Sequence, residues 1–390
     1  MIFRRASKRI AEAGGAAPAG RRPLPAGRRT VIVATVGIAV AAVTMGAVSL
    51  WAGASTPNSS ARTHSGTSGL NNFGLAVPAL VAETAAVQAS QFAAMKVAGI
   101  TSVRMDADWS WVQPVGPNEF DWTAMDQVVK SARAAGMSVD LIIDGCPPWA
   151  ALAGAGGDAH PQPASATQYA TWAAEVAARY APQGVGMFEI WNEPNNATFW
   201  QPKPNPAAYT ADLVAAYSAI KAVDPSAFVI SGGLAPEATD GTNISPIDFL
   251  TAMYADGAKG SFDALGYHPY SFPALPDTYE PWSAWSEMAQ TNPSIRSVMN
   301  SNGDGGKSIW ITEFGAPSSG PGGVGQAAQA TALTQAIAAA KKTSWIGALY
   351  IYSWQDDGTD QTNGEDWFGL LTAAGAPKLA YTAMVGAIKN

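Results

Sequence analysis

From residue 73 onward the sequence keeps one rhythm, in which short apolar runs alternate with longer, alanine-rich amphipathic stretches. Eight short runs can be counted, at residues 73–77, 102–105, 138–143, 186–191, 228–231, 264–267, 308–312 and 346–352. Apolar runs this short, bounded by turn-forming residues, read as buried strands. The stretches between them, for example 85–98, 123–135, 166–180, 206–223 and 325–342, with a last one at 378–388, read as helices. Strand followed by helix, eight times over, predicts an α/β fold whose parallel sheet closes into a (β/α)8 TIM barrel. A doubly wound open sheet is the competing architecture, but no glycine-rich phosphate loop follows the first strand.

A barrel of this kind carries its chemistry at the C-terminal ends of its strands. Polar and aromatic residues collect where the apolar runs stop. They are Arg104, Asp106 and Asp108, then Cys146 to Trp149, Asn192 and Glu193, His268 and Tyr270, Glu313, and Trp354. Trp191-Asn192-Glu193-Pro194-Asn195 closes the fourth run with an amide, a carboxyl and a helix breaker, and Ser308-Ile309-Trp310-Ile311-Thr312-Glu313-Phe314-Gly315 places a second carboxyl at the seventh. Glycosidic cleavage needs such a pair: one acid protonates the leaving oxygen, and one carboxylate attacks or stabilises the anomeric carbon. A lone glutamate in a loop more often just pairs with a nearby base. Here Arg104 and Tyr270 stand at the same level of the barrel, which favours the catalytic reading. A close cation lowers a carboxylate pKa, so Arg104 is expected to hold the nucleophile ionised; a structural salt bridge is its alternative role. Tyr270 is expected to donate its hydroxyl to the same carboxylate, and His268 to help orient substrate.

Charge and residue counts exclude several other classes. Residues 1–30 hold eight Lys/Arg against Glu12, a net +7, so the chain's overall −7 leaves −14 on the remainder. A body that acidic does not suit a nucleic-acid backbone, whereas a neutral carbohydrate is compatible with it. Cys146 is the only cysteine, so there is no internal disulfide and no cysteine-rich metal site; beside Pro147-Pro148 it reads as a small buried residue. With His64, His160 and His268 the only histidines, no histidine-rich metal cluster is expected, and no cofactor. The acidic loop 355–366 could bind calcium or line a polar subsite, but its spacing does not match a calcium loop and it reads as solvated. The Asn-X-Ser/Thr triplets at Asn58, Asn196 and Asn243 read as coincidental.

The two glutamate motifs, with Arg104 on the second strand and Gly266-Tyr267-His268-Pro269-Tyr270 on the sixth, resemble those of clan A glycoside hydrolases. Within the clan, Pro147-Pro148-Trp149 and the Gly-Tyr-His-Pro-Tyr run resemble glycoside hydrolase family 39 and its exopolysaccharide-degrading relatives most, with family 5 next. The resemblance spans about residues 72–390 and implies a retaining double displacement. Glu193 would be the acid/base, Glu313 the nucleophile, and Asn192 the partner of the sugar 2-hydroxyl. Trp354 would form the apolar floor of the reactive subsite. Trp149 and Trp354 are the first choices for stacking on sugar rings, with Trp200 and Trp367 after them. The substrate is expected to be a polysaccharide or oligosaccharide cut within the chain. An exo-acting β-glycosidase and a catalytically silent carbohydrate-binding barrel are the alternatives.

The N-terminal region predicts export. A basic segment leads into residues 31–51, 21 residues without a charge. A signal peptide cleaved after Ala52-Gly53-Ala54, a twin-arginine signal read from Arg28-Arg29, and an uncleaved anchor all fit. Each puts the body outside the cytoplasm, secreted or at the cell surface. The expected organisation is residues 1–54 as signal or anchor, 55–71 as a flexible linker, and 72–390 as a single catalytic domain without an accessory β-sandwich. It is expected to act as a monomer.

Overall fold

The computed structural model describes residues 72–154 and 160–389. Eight strands follow one another around a closed barrel: β1 (Phe73–Ala76), β2 (Ser102–Asp108), β3 (Ser138–Asp144), β4 (Met187–Asn192), β5 (Phe228–Gly233), β6 (Ala264–Tyr267), β7 (Ser308–Phe314) and β8 (Ile346–Ile351). Each pairs in parallel with the next, and β8 returns to β1. All eight expected strands are present. The expected helices are present too, at Ala85–Val97, Thr123–Ala134, Ala166–Tyr180, Pro206–Val223, Gln326–Lys342 and Leu379–Lys389, together with Pro246–Ala255 and Ile295–Ser301. Several start where the sequence supplies a cap. The side chains of Ser165, Asn205, Ser245 and Ser294 each accept from a backbone N–H in the first turn.

The period of two along each strand divides the core. Outward residues such as Val103, Met105, Leu141, Phe188, Ile190, Ile309 and Leu349 join the helices in one large cluster. Their inward neighbours Met187, Ile230, Ala264, Trp310, Ala348 and Tyr350 form a separate cluster inside the barrel. Above this apolar plug the barrel lumen turns polar. Arg104, Asp106, Asp140, Asp144, Glu189 and Thr312 are all buried there on inward strand positions.

Two strands break the period of two just where the glutamates sit. Along β4, Met187 and Glu189 point inward, so Trp191 should follow. Instead Trp191 has φ of 70° and packs outward, 5.0 Å from the Trp200 ring, with its Nε1 donating to Phe199 O at 2.6 Å. That reversal turns Asn192 into the lumen, and Glu193 also has a positive φ, 48°. On β7, the chain advances three residues from Ile311 to Phe314 while β8 advances two, from Leu349 to Ile351. This extra residue is a bulge, which re-aims the strand end. Phe314 stays outward against Trp285, at 5.0 Å between rings, and Glu313 faces the mouth. Non-glycine residues in left-handed conformations each cost about 1–3 kcal/mol and cluster at functional sites.

Among the described residues, no helix is long and apolar enough to cross a membrane. The apolar run 31–51 lies outside them.

Candidate active site

The site is assembled around one buried cation. Arg104, 2% exposed, donates from Nε to Glu189 Oε2 at 2.5 Å and from Nη2 to Glu189 Oε1 at 3.1 Å. Its Nη2 also donates to Asn192 Oδ1 at 2.8 Å, and its Nη1 to Glu313 Oε1 at 2.6 Å. The planar guanidinium thereby fixes side chains from β4 and β7 relative to each other. Glu189 is fully buried and also accepts from Gly233 N at 2.8 Å and from Thr312 Oγ1 at 3.0 Å. It is the residue sequence reasoning missed, although a carboxyl in the middle of the apolar run Phe188-Glu189-Ile190 was itself a signal.

Glu313 receives a second donor from Tyr270, whose hydroxyl lies 2.7 Å from Oε2. Burial alone would raise its pKa. The charges of His268 and Arg104, with the hydrogen bonds from Tyr270 and Arg104, overcome that and hold Glu313 below the usual carboxylate range. Glu313 is therefore a carboxylate kept ionised in a low-dielectric setting.

Glu193 has a different environment. Its Oε1 lies 2.9 Å from His268 Nδ1, and His268 Nε2 lies 3.0 Å from Thr312 Oγ1. The hydroxyl of Thr312 donates to Glu189, so it accepts from His268 Nε2, which must carry a hydrogen. The remaining contact, Nδ1 to Glu193, then holds one proton between its two atoms. Glycine at 233 is required for this chain of bonds, because a Cβ there would fall 2.1 Å from His268 Nε2 and 2.6 Å from Thr312 Oγ1. Oxygens of Glu193 and Glu313 and a ring nitrogen of His268 come within 4.8 Å of one another. Two carboxyls this close, one ionised and one beside a held proton, can divide nucleophilic and acid roles at one bond.

Glu193 and Glu313 open into a cavity of about 460 Å³, which Arg104, Asp106, Asn192, Glu237 and Glu365 also line. Its apolar wall is made of Phe199, Tyr270, Phe272, Tyr352 and Phe368, with the Tyr352 and Phe368 rings 5.3 Å apart. The structure thus brings together Arg104, Asn192, Glu193, Tyr270 and Glu313 at the cavity, with His268 directly behind Glu193. It places neither Trp149 nor Trp354 there. Trp149 stands edge-on to Trp109 at 5.4 Å and donates to Gln113 O at 2.7 Å. Trp354 is buried, hydrogen-bonded to Gln91, and lines a neighbouring cavity of about 470 Å³. The rings that line the cavity from the segment after β8, which ends at Ile351, are Tyr352 and Phe368. Trp200 is fully buried against Trp191 and Tyr209, and Trp367 is half-buried with its Nε1 on Asp360 O at 3.0 Å.

The remaining expectations fall into place as local structure. Cys146 is buried, and burial, reinforced by Asp212 and Asp108, pushes its thiol well up, away from thiolate chemistry. Loop acids expected to be solvated are partly structural. Asp356 pairs with Lys378 at 2.6 Å, and Asp366 accepts from Asp360 N and Asn363 Nδ2.

A family model described as cellulase, glycosyl hydrolase family 5, matches residues 62–356. Solved structures share the fold. A family 39 glycoside hydrolase from Bacteroides cellulosilyticus aligns at 23% identity and TM-score 0.64, over 81% of this chain and 63% of its own. A family 5 glycoside hydrolase from Streptomyces cattleya aligns at 18% identity and TM-score 0.63, over 83% and 80%. A monomeric β-xylosidase from Caulobacter crescentus aligns at 18% and 0.59, over 81% and 68%. The chain thus spans less than two thirds of the length of the Bacteroides enzyme. No curated protein matched. The motifs rank family 39 before family 5, whereas the matching family model is that of family 5 and the structural likeness extends to both, so neither family dominates the wider likeness. By its family match, the chain belongs to the cellulase family, glycosyl hydrolase family 5, as a clan A (β/α)8-barrel O-glycosyl hydrolase.

Proposed function

We propose that the protein is a retaining glycosidase in which Glu313 is the nucleophile and Glu193 the acid/base. The observation that carries this is the unequal setting of the two carboxyls. Glu313 is held ionised by Arg104 and Tyr270, while Glu193 shares a proton with His268. In the first step Glu313 attacks the anomeric carbon as the Glu193–His268 pair delivers its proton to the leaving oxygen. In the second, Glu193 takes a proton from water, which displaces Glu313. Their approach within 4.8 Å supports retention, since inverting pairs leave room for a water between them. To Asn192, whose Oδ1 accepts from Arg104, we assign the bond to the sugar 2-hydroxyl.

We further infer a polysaccharide substrate cut within the chain. The two neighbouring cavities share Pro78 and Tyr352, which supports a binding surface longer than one sugar. The basic segment followed by the apolar run 31–51 supports export.

Kinetics of two variants test the assignment. Glu193→Gln is expected to lose about 10²–10⁴ in kcat. Its loss should be smallest on substrates with a good leaving group, which need no protonation. Glu313→Ala is expected to lose more, whatever the leaving group. Near-normal turnover of either variant would overturn these two roles.

A further inference from the structure

Asp106 lines the same cavity, two residues beyond Arg104, yet takes no part in the hydrogen-bond network around that arginine. Its side chain is fully buried, and neither carboxyl oxygen has a hydrogen-bond partner within the protein. Asp140 and Asp144 are also without partners, but they do not line the cavity. A buried carboxyl facing a binding cavity without a donor from its own chain is a group prepared for a ligand's donors.

The rest of the cavity wall narrows the choice of donor. Asp106, Glu193, Glu237, Glu313 and Glu365 line it against one cation, Arg104. Arg104 is already engaged by Glu189, Glu313 and Asn192. Among the described lining residues no other Lys or Arg is available. A uronic acid or sulfated sugar would therefore meet carboxyls without a counter-charge. Two neighbouring hydroxyls would satisfy the lone pairs of Asp106 but add no positive charge to a wall that holds five carboxyls and one engaged cation. An ammonium group supplies both the donors and the charge. Burial first, then the nearby charges of Asp108 and Glu313, push Asp106 up to about 7 against the opposing pull of Arg104; an ammonium bound beside it would lower that value and let the carboxyl ionise.

We propose that this cavity is selective for an amino sugar bearing a free, protonated amino group, and that Asp106 is the residue that binds that ammonium. The proposal deepens the glycosidase reading and rests on it for the location of the substrate.

Binding to the full chain carrying Glu193→Gln tests it without turnover. The probes are tetrasaccharides of glucosamine and of galactosamine, their N-acetylated forms, the matching neutral hexose tetramers, and a uronic-acid tetramer, each titrated by calorimetry. At least one free-amine tetramer should bind about tenfold or more tighter than its neutral counterpart, with the uronic acid weakest. Adding Asp106→Asn should remove that gap, with the neutral tetramer moved less than about twofold. Melting curves of the two forms show whether the second substitution leaves the fold intact. Should it not, the ionic-strength dependence of amine binding in the Glu193→Gln form takes its place, and the affinity should fall as salt rises. Equal affinity for amine and neutral tetramers, no binding by either amine series, or a preference that survives Asp106→Asn overturns the proposal. A loss shared equally by amine and neutral ligands also overturns it, and makes Asp106 an acceptor for hydroxyls. Failure of the glycosidase reading would appear separately, as absent turnover by the wild-type chain with this order of binding intact.

Discussion

At the scale of single residues, Glu189 has the largest part for a group that does not line the cavity. It faces Arg104 with two bonds and takes two more from Gly233 and Thr312, so Asn192, Glu313 and His268 are each tied to it through one partner. Removing one charge of a buried pair leaves the other uncompensated, at a cost of about 3–5 kcal/mol. Glu189→Gln should therefore lower unfolding stability by about that amount in denaturant titrations. It should also free the charge of Arg104 to act on Glu313, moving the acid limb of kcat/KM to lower pH. Unchanged stability, or an acid limb displaced upward, would contradict the central place of Glu189. Its place inside an apolar run marks Glu189 as unusual in the linear sequence but does not say what it pairs with. Its meaning appears only once β2, β5 and β7 surround it.

At the scale of elements, the rhythm of apolar and amphipathic runs was enough to locate all eight strands and their order. The boundaries were less legible. β2 and β7 run on to Asp108 and Phe314, so Asp106 and Glu313 lie within strands and not beyond them. A period of two was readable along β4 and β7, but the positive φ at Trp191 and the bulge before Phe314 were not. Those two departures decide which way Asn192 and Glu313 point, and no residue-type signal marks either. The aromatic wall of the cavity was not legible either. Tryptophan is the more conspicuous sugar-stacking residue in the sequence, whereas Tyr352 lines the cavity directly after β8 and Phe368 is held beside it by the bonds Ser353 N to Phe368 O and Leu370 N to Ser353 O. By contrast Arg104, Asn192, Glu193, Tyr270 and Glu313 were legible, because each is a polar residue stopping an apolar run. The motif likeness to clan A enzymes strengthened that signal.

At the scale of the whole molecule, the barrel and the helices packed on it bury several acids that are held protonated. Burial raises Asp106 and Asp108 to about 7 and Asp212 to about 8, and pushes Asp140 and Asp144 up as well. A group whose folded pKa lies above its unfolded value holds a proton in the folded state. Its stabilising contribution is complete below the unfolded value, near 3.9 for Asp, and disappears as pH rises through the folded one. Glu313 acts in the opposite direction, since its depressed pKa adds stability that is lost only as pH falls through that lower value. The upward-shifted aspartates outnumber it. The melting temperature at constant salt should therefore fall as pH is raised from about 5 to about 8.5, and Asp212→Asn should reduce the fall. A melting temperature that climbs over this interval would show that the buried acids are ionised and paired in some other way.

A retaining double displacement stands or falls on Glu313 forming a bond to the sugar. Incubation of the wild-type chain with a 2-deoxy-2-fluoro glycoside carrying a good leaving group slows the second step more than the first and lets the intermediate accumulate. Intact mass followed by peptide mapping should then find one fluoro-glycosyl group per chain, on Glu313, in wild type and not in Glu313→Ala. Turnover of the parent glycoside without any trapped adduct, or an adduct on Glu193, would contradict it.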